Sequence, residues 1–348
     1  MKTMMDQNNH NDISNYQAAL VVSQLKDLCA TPSVMKKNLF PILSSHHSST
    51  PKSDDVDAAT PKKLLYDMAQ KHYLQQQQTT IDWKKDTCTL FDDIQKSKNH
   101  TDNVFMIPIN DNKDASSLIP YFSVPIASSE NNNNIHISNA KDDTHPVEPT
   151  NSNDNNTHSQ HYIQTYFSNK DFISDPKKPF LEKDNDDSTI TLEEQQPRIF
   201  ALDCEMVGTS AGVELARVTL IQYCHPEVKE EEGMKYRYRV VMDALVKPHL
   251  VVLDYVTAYS GVTATMLEHV TTRIEDIQTM LLCTIYKEDI IIGHSLDNDM
   301  RALRWIHPHI VDTSLILPHP CSSHEQGNKK YSLRHLSAVL LKKQIQQH

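Results

Sequence analysis

Two acidic residues, Asp203 and Glu205, stand out in the apolar segment Phe200–Gly208. On a β-strand, residues two apart point to the same face of the sheet. Two carboxylates side by side on a buried strand are costly unless a positive charge compensates them. Mg²⁺ and similar hard cations prefer such oxygen ligands, and a pair of these ions can drive phosphodiester cleavage. The spacing therefore predicts a divalent-metal site; the alternative is an edge strand with two solvated acids.

A second acidic motif lies in residues 293–303. The pattern predicts a strand that ends at Gly293, followed by a helix with Ser295 as its N-cap. We expect Asp299, in the first turns of this helix, to face the sheet end from which the first two acids emerge. Asp297 occupies the same turns, where the helix dipole alone favours an acid. We therefore assign Asp297 a structural role, and we expect His294 either to hold the turn or to contact substrate.

The order of strands and helices predicts an α/β fold with a mixed sheet flanked by helices. Three strands with short connections should form an antiparallel meander, with an acidic turn at 227–233. Helices and strands then alternate, which favours right-handed crossovers. The predicted strands are 198–207, 213–224, 236–246, 289–293 and 310–317, and the predicted helices are 273–286, 296–306 and a basic amphipathic one at 332–347.

Glycine divides the chain into two parts. All six glycines lie beyond residue 207, and the preceding part contains Gln75–Gln78, Asn131–Asn134 and many other polar residues. Folded regions normally need glycine at some turns. We therefore interpret residues 1–197 as a mostly disordered low-complexity leader and residues 198–348 as the folded domain. Within the leader, 15–29 and 62–74 have helical apolar patterns, which fit either docking of an unknown protein or transient helices.

Charge and cysteine content narrow the function classes. The chain has a formal net charge of −11, and the leader carries 27 acidic against 18 basic residues, so it is not a basic nucleic-acid arm. Residues 301–348 carry seven Lys and Arg against two Asp and Glu; this end either attracts a phosphate backbone or is an ordinary solvated helix face. The six cysteines include no CxxC pair, which fits a reducing compartment. The apolar run Ala18–Val22 is too short to cross a membrane.

An ordered set of segments resembles the DEDDh 3′–5′ exonucleases, specifically the Rex-type RNA exonuclease branch. The resemblance covers about residues 198–347. It implies a ribonuclease H-like fold, release of nucleoside 5′-monophosphates from the single-stranded 3′ end of RNA, and two Mg²⁺ or Mn²⁺ ions held by four acids. The segments are Ala201–Gly208, Leu245–Pro248, Asp254–Tyr255, Tyr259–Thr263, Gly293–Leu303, Val311–Ser314, the run from Ile306-His307 to Pro318-His319, and Tyr331–Arg334.

The resemblance also implies roles for individual residues. Asp203, Glu205 and Asp299 match three of the four metal-binding acids, with Asp203 bridging the two ions. Four residues match positions near the substrate: Val207 and Gly208 beside the terminal nucleotide, and Ser260 and Gly261 in a loop that approaches it. His294 is a further candidate for substrate contact. Asp312 has no metal role in this pattern and is interpreted as a cap or a local hydrogen-bond acceptor.

The family's last motif has no match in this sequence. The motif is a His followed four residues later by an Asp, whereas the sequence here ends at His348. We expect the domain to lack its C-terminal helix, which would leave apolar surface open. Two interpretations follow: an incomplete sequence of an active enzyme, or a catalytically impaired RNA-binding or regulatory product. The resemblance and the basic pairs Lys62-Lys63 and Lys177-Lys178 favour the nucleus, with the cytoplasm as the alternative.

Overall fold

The fold is built around a mixed six-stranded β-sheet. The computed structural model describes residues 20–43, 61–71, 117–124, 126, 162–172, 197–224, 237–317, 319 and 329–346. Its strands are β1 (Ser123–Val124), β2 (Tyr162–Gln164), β3 (Ile199–Thr209), β4 (Gly212–Cys224), β5 (Arg237–Leu245), β6 (Val252–Asp254), β7 (Ile290–Gly293), β8 (Trp305–Ile306) and β9 (Ile310–Asp312).

The large sheet has the strand order β5-β4-β3-β7-β9, and β6 pairs with the end of β3. Strands β3, β4 and β5 form an antiparallel meander. Strands β7 and β9 then run parallel to β3. A tight turn joins β3 to β4, and Gly212 adopts a φ of 122° there, a conformation that favours glycine. The predicted meander and the predicted mixed sheet flanked by helices are confirmed.

Ten helices flank or connect these strands in the described part of the chain. They are α1 (20–27), α2 (Pro32–Lys37), α3 (61–71), α4 (Ile119–Phe122), α5 (Thr257–Ser260), α6 (Ala264–Leu267), α7 (Ile274–Thr284), α8 (Leu296–Ala302), α9 (Thr313–Ile316) and α10 (Leu333–Leu336). Helix α7 is the central one, and its Ile277 and Leu281 are fully buried. Its first turn is fixed by Asp276, whose carboxylate accepts a 2.7 Å hydrogen bond from the Arg273 N–H. Burial of each large apolar side chain contributes about 1.5–3 kcal/mol.

Three predicted elements end earlier than the sequence pattern suggested. Helix α8 stops at Ala302, because Arg304 adopts a φ of 49° and the chain turns into β8. Strand β9 stops at Asp312, because that residue caps α9. The predicted helix at 332–347 is only α10 followed by a π-helical turn, Ser337–Leu341, and it ends where Lys342 adopts a left-handed conformation. The acidic turn at 227–233 lies outside the described residues.

The described segments of the leader pack against the folded domain. Val22 of α1 is buried against Ile199, Ile290 and Val311. Leu65 of α3 is fully buried in the main core. These helices are therefore docked on the chain's own sheet and core, which neither interpretation of the leader included. The remainder of residues 1–197 lies outside the described part, and its disorder stays a prediction.

A second, three-stranded sheet also joins the leader to the domain. Strand β2 pairs in parallel with β8, so that Ile163 lies opposite Trp305. Thr165 follows β2, and its hydroxyl lies 2.9 Å from Nδ1 of the buried His307. Leader and domain thus share one interior, and a domain boundary at residue 197 does not separate their cores.

Two further features of the described residues concern membrane-spanning helices and exposed apolar surface. No helix among the described residues is long and apolar enough to cross a membrane. Apolar side chains are exposed on the π-helical turn near the chain's end, at Val339, Leu340 and Leu341.

Candidate metal and nucleic-acid site

Asp203 and Glu205 lie on β3, the central strand of the large sheet. Leu202 and Cys204 are buried in the core, whereas Asp203 is exposed and Glu205 half-buried. The alternation of β3 therefore turns both acids away from the core, as predicted. Pairing between β3 and β7 ends at Ala201, so the acids emerge just beyond that pairing.

Asp299 joins the pair through the main chain of β3. Its Oδ1 accepts a 2.8 Å hydrogen bond from the N–H of Cys204. Because Cys204 stands between Asp203 and Glu205, this bond brings the third acid to the first two. Asp299 is buried, and it is close enough to Asp203 and Glu205 to interact electrostatically with them. The three acids therefore lie near one another at this end of β3, and their convergence on a shared ion stays a prediction.

Two local features place α8 at this point. A Cβ on Gly293 would lie 2.8 Å from the carbonyl oxygen of Leu202, so only glycine lets β7 and the turn after it approach β3 so closely. Asp312 then caps α8 from β9, because its carboxylate accepts hydrogen bonds of 2.9 Å and 3.1 Å from the N–H groups of Ser295 and Leu296. Ser295 occupies the N-cap position, as predicted, but its side chain makes no capping hydrogen bond. The acceptor role predicted for Asp312 is confirmed.

Crowding and burial shift the pKa of all three acids. Burial, followed by repulsion from Asp203, raises the pKa of Glu205 to about 8 and that of Asp299 to about 7. Asp203 reaches solvent but is surrounded by protein atoms, and this partial dehydration raises its pKa as well. Charged carboxylates are therefore disfavoured here without a positive partner. A bound cation would relieve this cost.

One cation beside the acids was missed by the sequence analysis. Arg217 on β4 lies directly opposite Glu205 in the β3–β4 register. Its guanidinium is held by Asp243 through two hydrogen bonds of 2.8 Å and 2.7 Å, and its charge lowers the pKa of Glu205. The sequence pattern contained a signal for this residue, because Arg217 falls on a predicted strand that follows the strand carrying Asp203 and Glu205. The register that pairs Arg217 with Glu205 could not be read from that pattern.

The three acids fit a divalent ion through the chemistry of their carboxylate oxygens. Three carboxylates supply the oxygen ligands that Mg²⁺ and Mn²⁺ prefer, and burial raises the pKa of each of them. In the described part of the chain, no group of three or more His, Cys, Asp or Glu side chains is already arranged to hold a metal ion. The three side chains would therefore have to move toward a shared ion, and their metal role stays a prediction.

The predicted substrate-binding residues occupy one end of β3. The Val207 side chain is fully buried, so any contact with a nucleotide would have to come from its main chain. Gly208 pairs with Asp254 of β6. The Ser260 hydroxyl donates to the Tyr255 carbonyl at 2.8 Å and accepts from the Val262 N–H at 3.0 Å. This hydroxyl is therefore committed to holding the loop, in which Gly261 adopts a φ of 65°.

The remaining two candidates on the 293–303 motif have local partners. Nδ1 of His294 lies 2.9 Å from the Thr313 hydroxyl, which fits the interpretation that His294 holds the turn. Asp297 forms ion pairs with Arg301 at 3.0 Å and Lys330 at 3.2 Å. These contacts fit the structural role assigned to Asp297. The substrate role of His294 remains a prediction.

These features define a mixed α/β protein with an acidic site on its central strand. No family model matches the chain. The chain is 42% identical over 148 residues to a Homo sapiens protein named RNA exonuclease 5, covering 42% of this chain and 17% of that protein. It is 36% identical over 160 residues to RNA exonuclease 1 of Saccharomyces cerevisiae, covering 45% and 26% respectively. The predicted resemblance to the Rex-type RNA exonuclease branch is confirmed.

The similarity covers only part of each protein. An uncharacterized exonuclease of Schizosaccharomyces pombe is 40% identical over 151 residues, or 43% of this chain and 21% of the relative. The chain thus spans about a quarter or less of the length of the curated relatives described here. Among solved structures, the Neurospora crassa Pan2 catalytic unit matches 45% of this chain and 25% of its own, with 25% identity and a TM-score of 0.35.

Proposed function

We propose that this chain carries a metal-dependent 3′–5′ exonuclease domain that trims RNA 3′ ends and releases nucleoside 5′-monophosphates. The observation that carries the proposal is the hydrogen bond from the Cys204 N–H to Asp299, which joins the third acid to Asp203 and Glu205. The relatives named RNA exonucleases, at 36–42% identity, support this choice of reaction and substrate.

In this proposal the three acids hold two Mg²⁺ or Mn²⁺ ions. Such ions activate water as a nucleophile and neutralise charge on the leaving oxygen. Asp203 and Glu205 project from the rigid centre of the sheet, and Asp299 is fixed by its bond to Cys204. The protein therefore brings three carboxylates to one end of β3, and in this proposal their side chains close around the ions on binding. Arg217, held by Asp243, limits repulsion between the acids before an ion arrives.

The proposed substrate is the single-stranded 3′ end of an RNA. The main chain at Val207 and Gly208 and the loop containing Ser260 and Gly261 would lie beside the terminal nucleotide. The wider protein is acidic, so attraction of the phosphate backbone falls to local basic residues. Lys330, Arg334, Lys342 and Lys343 lie near the chain's end, and binding through them should weaken as salt rises. The nucleus is the proposed location, with the cytoplasm as the alternative.

A second candidate function is binding of RNA without efficient cleavage. The three acids are not pre-arranged around an ion in the described part of the chain. In this alternative the same surface binds RNA and serves a regulatory role. Docking of a partner by the leader has less support, because the described leader helices are packed on the domain.

The two candidates are separated by an assay with a 5′-labelled single-stranded oligoribonucleotide in Mg²⁺ or Mn²⁺. The exonuclease proposal expects stepwise shortening from the 3′ end, nucleoside 5′-monophosphate product, and loss of both in EDTA and in Asp203→Ala. Asp297→Asn is the matched control, since Asp297 is paired with Arg301 and Lys330. Salt-sensitive binding without product would favour the second candidate. Cleavage that survives EDTA or Asp203→Ala would refute the exonuclease proposal.

A further inference from the structure

We propose that Tyr259 is a stacking platform for a nucleobase of the single-stranded RNA. The proposal rests on the proposed function and adds a base-contacting residue to it. Tyr259 lies in α5, and 85% of its surface is exposed, more than for any other exposed large apolar or aromatic side chain of the described residues. An aromatic ring this exposed contributes little to the core. Within the described residues, its side chain has no hydrogen-bond or ring partner.

The loop that presents Tyr259 is tightly cross-linked. Thr257 donates a 2.6 Å hydrogen bond to the Val262 carbonyl, and Ser260 bonds both sides of the loop. The helix α5 is bracketed by left-handed residues, Val256 with a φ of 48° and Gly261 with a φ of 65°. Such a loop fixes the main chain from which the ring projects before a ligand arrives. Pre-organisation reduces the entropy that binding would otherwise cost.

The same loop is anchored to the strand that carries the acids. Asp254 of β6 pairs with Gly208 of β3. Val262 packs with Val207, two residues beyond Glu205, in a buried cluster of their own. At about 3.3 Å per residue, Gly208 is roughly 10 Å along the strand from Glu205. A single-stranded segment whose end reaches the acids would therefore pass beside this loop.

A nucleobase fits this surface better than a purely apolar partner. Stacking on an aromatic side chain is tolerant of sequence, because every base has a π-face, and it is a common mode of single-strand binding. Val251, just before β6, and Leu253 within it are also highly exposed, at 72% and 70%. Because this surface lies near the acids and the proposed substrate is RNA, we take a nucleobase as its ligand. Docking of a protein on the same surface is an alternative outcome of the test.

The test uses the full chain and a single-stranded oligoribonucleotide with 2-aminopurine near its 3′ end, in EDTA and at low salt. Stacking is worth ~1–3 kcal/mol per base, so Tyr259→Ala should weaken binding by about 5- to 100-fold and restore 2-aminopurine fluorescence. Tyr259→Phe and Tyr259→Trp should keep both signals. Tyr259→Leu keeps apolar area without an aromatic ring and should behave like the alanine variant.

Tyr121→Ala is the matched control, because Tyr121 is also exposed, at 54%, but lies on the leader helix α4. It should bind like the unsubstituted chain. A second readout is turnover in Mg²⁺, where Tyr259→Ala should raise KM by a similar factor and leave kcat within about threefold.

The outcomes separate this inference from the proposed function. If the chain binds and trims RNA but Tyr259→Ala does both equally well, the platform is refuted and the exonuclease proposal stands. Equal losses in Tyr259→Ala and Tyr121→Ala would also refute the platform, as would full binding by Tyr259→Leu, which points to an apolar docking surface. A chain that neither binds nor trims RNA would overturn both proposals.

Discussion

The Asp299 carboxylate accepts a 2.8 Å hydrogen bond from the main-chain N–H of Cys204, the residue between Asp203 and Glu205. The third acid is thus tied to the backbone of β3 and not to the other two side chains. Its position depends on how α8 meets the sheet, and so on Gly293 and on the Asp312 carboxylate that caps α8. The acids themselves remain free to adjust to an ion.

Replacing Asp299 by asparagine should separate the effect of its charge on stability from the effect of its hydrogen bond to Cys204. Asp299→Asn keeps an oxygen that can accept from the Cys204 N–H but removes one charge from the crowded acids. The pKa of Asp299 is raised to about 7, so its ionised form is disfavoured in the folded protein. We expect the metal-free free energy of unfolding at pH 8 to be unchanged or higher by about 1 kcal/mol, as measured by urea denaturation in EDTA.

The control for that variant lies on the same helix. Asp297→Asn removes the charge of a buried carboxylate that pairs with the half-buried Arg301 and Lys330. Its free energy of unfolding should fall by about 1–2 kcal/mol, because hydrogen bonds to a charged partner are weakened. If Asp299→Asn is clearly the less stable of the two variants, the crowding of charge around Asp299 is refuted.

The docking of the leader predicts a difference between two of its leucines. Leu65 is fully buried in the main core, whereas Leu28 is 45% exposed. Leu65→Ala should lower the free energy of unfolding by about 2–4 kcal/mol, through lost burial and the cavity left behind. Leu28→Ala should change it by about 0.5 kcal/mol or less. Equal and small effects in urea denaturation would mean that α3 is not docked.

The buried His307 predicts a loss of stability in acid. Burial lowers its pKa to about 3, whereas an unfolded histidine titrates near about 6.5. Below that pH the unfolded chain binds more protons than the folded one, so stability falls as pH falls, at up to about 1.4 kcal/mol per unit for this group. The folded His307 stays neutral, with Nε2 2.7 Å from the Asp289 carbonyl oxygen.

His307→Gln tests this assignment. An amide can still donate to the Asp289 carbonyl but carries no proton-binding group. The variant should be less stable at pH 7 and should lose stability less steeply between pH 6.5 and 5 than the unsubstituted chain, in urea denaturation at each pH. Parallel pH profiles for the two proteins would contradict the assignment.

Local periodicity in the sequence predicts those parts of the structure that depend on residues close together in the chain. The two-residue spacing of Asp203 and Glu205 placed both acids on one face of β3, and apolar runs located the meander. Bonds between distant segments could not be predicted this way. Asp312 caps Ser295 from 17 residues away, and the Asp299–Cys204 bond spans 95 residues. Neither contact leaves a local pattern in the sequence.

The leader also shows that contacts between distant segments could not be predicted from the sequence. Its lack of glycine and its polar composition indicated disorder, yet short apolar segments within it dock on the sheet and on the core. Val22 and Leu65 are buried only because the domain supplies a surface for them. The early end of α8 has a related cause, because the chain from Trp305 pairs with leader strand β2. A partner strand so distant in sequence could not be anticipated.

The central claim is that Asp203, Glu205 and Asp299 share divalent ions, and Mn²⁺ binding tests it most directly. Electron paramagnetic resonance of free Mn²⁺ during titration gives the number and affinity of bound ions, and a Mn²⁺-soaked crystal locates them by anomalous scattering. We expect Mn²⁺ in contact with Asp203 and at least one of the other two acids, with binding lost in Asp203→Ala and kept in Asp297→Asn. Mn²⁺ binding that is unchanged in Asp203→Ala, or no ion at these carboxylates at saturating Mn²⁺, would contradict the claim.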